Sequence, residues 1–371
     1  MDRTLFTAEE NDQLDELAST LVDEYMEMLD AFELQPLGVL QSDWKMLAQH
    51  QELDVYIQRE PTRSLGLCRG DDDQDAGDDA SAPRLMATGS LHATLDDVMY
   101  ASVTPTNEAM RVHMDAVLAC CDVTGLVLHT VKEPQTTQPF RFTGIKWLLR
   151  RAPSILRSAV RPRDFVFLEA TGVRVRRDGE RIGYHVRHSL DFATTTRPSN
   201  RGAVRGTIAS CRFYRERTPR KLDVWAFESL GLGGSAWHRL ATAEACRELA
   251  SILQLPTLAL SKKLLWFSQL TSPSAVGYRR SRSSSPATPR LSPRHERSRS
   301  RKCYNCSASS SWLWETLPRC AQCGLSVCMQ CSEPVVLIKP RATQRCCLGC
   351  VLSMNDGNIA VYASQCRRPE P

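Results

Sequence analysis

The residues best equipped for chemistry are cysteines, and they come in pairs. Cys303 and Cys306, Cys320 and Cys323, Cys328 and Cys331, and Cys347 and Cys350 form four C-x2-C units near the end of a 371-residue chain. Each such turn presents two sulfurs to one tetrahedral ion, at a spacing that zinc sites use. Nine of the fifteen cysteines lie between Cys303 and Cys350, in a stretch with few large apolar residues. A segment this short needs a metal or disulfides to fold. The first residues lack the basic-then-apolar order of a secretory signal, so disulfides are not expected. The expectation is two structural Zn2+ ions, each closed in by four thiolates. A closed site has no position for water or substrate, so its metal supplies folding free energy rather than catalysis. Spacing permits either Cys346 or Cys347 as the seventh ligand; Cys347 restores the x2 interval.

Further residues extend the pattern. Gly324-Leu325-Ser326-Val327 separates the second and third pairs, Ser332 follows the third, and Arg345 stands two before Cys347. With these features the segment 303–353 resembles the FYVE family of zinc fingers. The resemblance implies a cross-brace. Cys303, Cys306, Cys328 and Cys331 then share one zinc, and Cys320, Cys323, Cys347 and Cys350 share the other. The family's basic double-histidine motif is replaced here by Thr316-Leu317-Pro318-Arg319-Cys320-Ala321, and its tryptophan–acid motif by Arg297-Ser298-Arg299-Ser300. Arg319 and Arg345 are left to meet a lipid headgroup in family fashion. The resemblance implies a membrane phosphoinositide or a trafficking protein as partner, with Trp312 and Trp314 available to an interface or to the small core. A RING-like E3 ubiquitin ligase is the alternative of another class, but the central histidine and shorter gap of that pattern are missing.

The elements that must carry this module divide the chain. Region 1–44 holds an amphipathic helix from residue 7 to about 33. Thr7 and Glu10 give a capping-box pattern, and Leu14, Leu17, Leu21, Tyr25 and Met28 recur on one face. Packing within its own domain is the expectation, with a coiled-coil partner as the alternative. Region 45–271 reads as one α+β domain: strands over 51–60 and LMATGSLHA, helices at 95–101 and 106–118, strands over 165–176, 182–192, 204–216 and 222–229, and a last helix from Ser235 to about Leu253. This order is α+β rather than alternating βαβ. Residues 68–83 read as a mobile acidic loop. Residues 272–302, rich in serine, arginine and proline, read as a disordered basic linker, and 354–371 as a flexible tail.

Trp44-Lys45, Asp54-Val55-Tyr56, Thr94 to Tyr100, Gly144-Ile145-Lys146-Trp147, Arg163 to Glu169 and Arg181-Ile182-Gly183-Tyr184 resemble the START-like domains joined to FYVE-type fingers in oomycete proteins. That resemblance implies a helix-grip fold, a curved antiparallel sheet around a C-terminal helix, with a tunnel for a lipid or sterol. Phe165, Phe167, Tyr184 and Trp225 are the candidate lining residues.

Enzymatic signals are missing. No nucleophile elbow or HExxH occurs. Gly231-Leu232-Gly233-Gly234-Ser235 fits neither a P-loop nor a dinucleotide fingerprint. His185 and His188, three apart on a strand, lie on opposite faces and cannot chelate one ion. The net charge of +5 hides a cluster of arginines between Tyr278 and Lys302, which can meet anionic lipid, nucleic acid or an acidic protein face; charge alone does not choose among them, and nucleic acid is not the expected partner. No run of about eighteen apolar residues predicts a membrane span. The sequence reads as a non-enzymatic, cytoplasmic adaptor, peripheral on endosomal membranes, with a lipid-transfer protein as the alternative.

Overall fold

Thr7 and Glu10 close the reciprocal cap that their spacing predicts. The Thr7 N–H donates to Glu10 Oε2 at 2.7 Å, and the Glu10 N–H donates to Thr7 Oγ1 at 3.2 Å. In the computed structural model, which describes residues 6–34, 42–59, 82–118, 122–152, 160–190, 202–233, 238–271, 301–309, 316–337 and 342–355, this cap opens helix α1 (Ala8–Leu34). Its buried stripe is Leu14, Ala18, Leu21, Val22, Tyr25 and Leu29. Leu17 and Met28 are 37% and 42% exposed, so the face is rotated from the one the leucine spacing suggests. Ala18 and Val22 fill the stripe in their place. The stripe packs on its own sheet, against Trp147, Leu168, Val186 and Phe213 among others.

That sheet is antiparallel throughout its main path. The strands are β1 (Trp44–His50), β2 (Leu53–Gln58), β3 (Arg84–Leu91), β4 (Asp122–Lys132), β5 (Phe142–Arg151), β6 (Arg163–Val175), β7 (Arg181–Ser189), β9 (Thr207–Thr218) and β10 (Lys221–Gly231). Their spatial order is β1-β2-β3-β10-β9-β7-β6-β5-β4, and the two-residue β8 (Val204–Arg205) pairs in parallel with β6. The stretch read as a strand over 51–60 is half of a β1–β2 hairpin, turned at Gln51 with φ of 53°. Strands β4 and β5 were not anticipated. Strands β6 and β7 are joined by a turn at Arg177-Asp178-Gly179, where Gly179 takes a φ of 86° and its N–H donates to Arg176 O at 3.0 Å. Between β3 and β4 lie α2 (Leu95–Ser102) and α3 (Asn107–Val117), N-capped by Thr94 and Thr106.

Helix α4 (His238–Ala250) packs on β10, β3 and β2. It begins and ends within the span 235–253 read from the sequence; Ser235 and Trp237 lie outside the described residues. A helical turn (Ser251–Gln254) then leads into α5 (Leu255–Thr271), which the sequence reading missed. Alternation along the strands assigns the two faces of the sheet. Val186 sits in the cluster beneath α1, whereas its neighbour Arg187 reaches Glu248 of α4. The sheet is therefore covered by α1 on one face and gripped by α4 on the other. The class is α+β with a helix-grip arrangement.

The chain separates into two compact units, one running to Pro256 and the second from Thr257 to Asn358. The second unit contains the β11 (Ser332–Leu337) and β12 (Ala342–Cys347) hairpin and helix α6 (Leu348–Asn355). Its core joins Leu264 of α5 to Val327, Val335, Cys346, Val351 and Met354. Most of the acidic stretch 68–83 and of the linker 272–302, the loop with Trp312 and Trp314, and the tail beyond Asn355 lie outside the described residues.

Candidate metal centre and the charged face of the sheet

Two C-x2-C turns in the second unit are built alike. The Cys303 N–H donates to Ala308 O and the Ser307 N–H to Cys303 O, both at 2.8 Å. Seventeen positions later in each case, the Cys320 N–H donates to Leu325 O at 2.8 Å and the Gly324 N–H to Cys320 O at 2.9 Å. Antiparallel bridges Lys302↔Ser309 and Arg319↔Ser326 close the two loops. Both turns need a left-handed residue just after the second cysteine: Ser307 has φ of 59° and Gly324 of 73°. Only glycine takes that conformation at no steric cost.

The chain then crosses over. Cys303 and Cys306 meet Cys328 and Cys331, while Cys320 and Cys323 meet Cys347 and Cys350, each set with its four sulfurs within 4.8 Å of one another. The gap is 3.6 Å between the sulfurs of Cys306 and Cys328, and 3.9 Å between those of Cys323 and Cys347. A disulfide needs about 2.05 Å. A tetrahedron with metal–sulfur bonds of about 2.3 Å needs its sulfurs ~3.8 Å apart, so the observed gaps fit a zinc-type ion. The Cys347 N–H donates to Cys320 Sγ at 3.2 Å, and the Cys350 N–H to Cys347 Sγ at 3.4 Å. Cys346 is not in either set. It is fully buried in the core between the hairpin and α6.

Arg345 is committed to structure. Its Nη1 donates to Ser332 O at 3.3 Å and to Ser332 Oγ at 3.2 Å, and the Ser332 hydroxyl donates to Cys328 O at 2.8 Å. Arg319 is exposed on the second knuckle. The Ala321 N–H donates to Arg345 O at 2.8 Å, which joins the backbones that carry the two arginines. Gln322, at the tip of that knuckle, donates to Leu264 O at 3.2 Å, so the C-terminal half of α5 belongs to the finger's fold.

In the first unit the four candidate lining residues divide between the two faces. Phe165 and Phe167 share the α4 face with Glu169, two residues further along β6. Trp225 and Tyr184 belong to the cluster under α1. His185 and His188 also separate, His185 toward Glu169 and His188 toward the Tyr25 hydroxyl of α1.

The α4 face carries a buried charged cluster that the sequence reading missed. Lys146 is fully buried, donates to Thr104 Oγ1 at 2.6 Å and pairs with Glu169. Glu169 Oε1 lies 3.0 Å from His185 Nε2. Arg187 donates to Glu228 Oε2 at 2.9 Å and to Glu248 Oε2 at 3.2 Å, and Arg212 reaches the same Glu248 oxygen at 3.2 Å. Arg150 pairs with Glu248 and, at 3.2 Å, with Glu244. Four cations thus face four carboxylates, and Glu244 and Glu248, one turn apart on α4, clamp the helix to β5, β7 and β9.

Burial opposes the neighbouring charges at Glu169 and His185. It would raise Glu169, but the Lys146 charge and the His185 hydrogen bond outweigh it and hold the carboxyl well below the usual range. His185 is pushed down to about 4, chiefly by desolvation against the pull of Glu169. It is therefore neutral at pH 7. The signal for the cluster was available as charges at period-two positions inside apolar strands: Lys146 and Arg150, Glu169, Arg187, Arg212 and Glu228.

No protein-family model and no curated protein matches the chain. Among solved structures, it is similar to human StAR-related lipid transfer protein 5, with 14% identity over 67% of this chain and 97% of the other and a TM-score of 0.44. It is similar to the lipid transfer and protein localization domain of human StarD13, with 13% identity over 63% of this chain and 94% of the other and a TM-score of 0.37. A STAR-related lipid transfer protein fragment from Xanthomonas axonopodis gives 14% identity over 58% of this chain and 98% of the other, with a TM-score of 0.35.

Proposed function

We propose that this chain is a non-enzymatic adaptor in which a START-like domain is coupled to a FYVE-like finger holding two structural zinc ions. The observation that carries the reading is the interleaving of the cysteine pairs, first with third and second with fourth, at sulfur gaps suited to a tetrahedral ion. The finger docks on endosomal membranes or on a trafficking protein, and Arg319 is the cation it offers a phosphate. Arg345 braces the hairpin instead. The START-like assignment is supported by the strand order and by the helix gripping one face of the sheet. A lipid or sterol held there shares its face with the charged cluster, so it needs a polar group as well as an apolar body.

Native mass spectrometry of the whole protein, purified under reducing conditions, tests the metal reading: two zinc ions per chain are expected, and a metal-free folded chain would overturn it. Flotation with liposomes carrying or lacking phosphatidylinositol 3-phosphate tests the membrane reading. Flotation that depends on this lipid and falls with Arg319→Ala supports headgroup recognition; its absence leaves protein docking as the finger's role.

A further inference from the structure

The two cysteine sets are built alike up to the residue that precedes each closing pair. The Cys347 N–H donates to Cys320 Sγ at 3.2 Å, and the Cys328 N–H meets Cys303 Sγ in the same place in the first set. The residue before Cys328 is Val327, and the residue before Cys347 is Cys346. Both are fully buried in the core of the second unit. Matched positions thus carry side chains of similar size and different chemistry, an isopropyl group beside one set and a thiol beside the other.

Among the described residues of that unit, Cys346 is the one cysteine outside either set. The backbone on both sides of it is tied to the second knuckle. Arg345 O accepts the Ala321 N–H at 2.8 Å, and the Cys347 N–H reaches the Cys320 sulfur. The Cys346 thiol is thereby brought to Cys320 Sγ, with which it makes a side-chain hydrogen bond. Cys320 is as buried as Cys346, so bulk solvent does not compete for the contact. A thiol is a weak donor. Groups that hydrogen-bond to a metal ligand nevertheless fix its orientation, and removing one costs about 10–100-fold in metal affinity. Val327 can offer Cys303 no such bond.

We propose that Cys346 is a positioning residue for the second metal, its S–H holding the Cys320 sulfur, and that the two ions are in consequence held unequally, the second more tightly than the first. The inference rests on the two-zinc reading and adds an order of release to it. In the full-length protein, purified under reducing conditions, a chromophoric chelator is raised stepwise. The thiols that each departing ion frees are trapped by a brief pulse of N-ethylmaleimide and located by peptide mass spectrometry. In the wild type, Cys303, Cys306, Cys328 and Cys331 are expected to be trapped first. Cys346→Val gives the second set the side chain that the first already has, and should bring its release forward by about tenfold in chelator. Cys346→Ser keeps a donor and should restore most of the difference. A second set held as tightly in Cys346→Val as in the wild type overturns the proposal, and so does equal weakening by valine and serine, which would reduce Cys346 to packing. The wild-type order decides even if a variant does not fold: a second set that empties first, or two ions that leave together, sinks this inference alone. A folded protein that binds no metal removes the zinc reading itself.

Discussion

Glu248 of α4 and Arg187 of β7 meet across the helix–sheet interface, Oε2 to Nη2 at 3.2 Å. The same carboxylate also serves Arg212 and Arg150. Taking away one partner of a buried ionic network costs about 3–5 kcal/mol, because the remaining charges stay desolvated without compensation. Glu248→Gln keeps the shape and removes the charge, so it should lower stability by roughly 3 kcal/mol in urea unfolding followed by circular dichroism. A loss below about 0.5 kcal/mol, the size expected of a surface change, would mean that water already reaches the arginines.

The buried histidine sets an acid limit. An unfolded histidine titrates near 6.5, whereas His185 is held down to about 4. Between those values the unfolded chain takes up a proton that the folded chain refuses. Stability is then complete above about pH 6.5 and falls as pH drops toward 4. The total loss is on the order of 3 kcal/mol. Glu169, whose folded pKa is depressed, adds a further loss below about pH 4.5. Urea midpoints measured from pH 7 to 4.5 should slope downward for the wild type and less so for His185→Gln. Parallel slopes would show that other groups carry the dependence.

The two knuckles invite a comparison at matched positions. Ser307 occupies a left-handed conformation that Gly324 occupies in the other turn. That conformation costs a non-glycine residue roughly 1–2 kcal/mol. Ser307→Gly should therefore retain or improve zinc binding, by up to about 1 kcal/mol once glycine's extra chain entropy is subtracted. Gly324→Ala should weaken it by about 1 kcal/mol, although a Cβ there meets nothing within 4 Å. Competition with a chromophoric chelator, at each site in turn, reads both changes.

Cys346 and Cys347 are neighbours with different duties. Cys347→Ser should lose one zinc ion from the native mass spectrum, and Cys346→Ser should keep both while lowering stability by about 1 kcal/mol through the packing of its buried sulfur. Two zinc ions in Cys347→Ser would reveal Cys346 as a substitute ligand.

The two cysteine sets were legible because metal chemistry dictates spacing directly: a C-x2-C turn can offer two sulfurs to one ion wherever it is placed. Strands β2, β3, β6, β7, β9 and β10 and the α1 cap were legible for a similarly local reason, since alternation shows within a single strand and Thr7 meets a backbone donor three residues away. Strand β5 was not, because it is buried on both faces apart from its last residue, and Lys146 and Arg150 break the apolar run with charges that only partners on β6 and α4 explain. The same applies to α5, where Pro256 reads as a breaker but sits at the second helical position, where a missing N–H costs nothing. Tyr184 and Trp225 looked equivalent to Phe165 and Phe167 because composition says nothing of strand phase. Only the register separates the faces.

The alternation of cysteine pairs has a consequence for how the polypeptide is made. Cys303 and Cys306 leave the ribosome first, yet their proper companions, Cys328 and Cys331, follow only after Cys320 and Cys323 have emerged. For that interval the nascent chain exposes four thiols that belong to different ions but lie nearest one another in sequence. A metal captured then would join the wrong pairs, and reaching the interleaved sets would require an exchange of sulfurs once Cys347 and Cys350 have arrived.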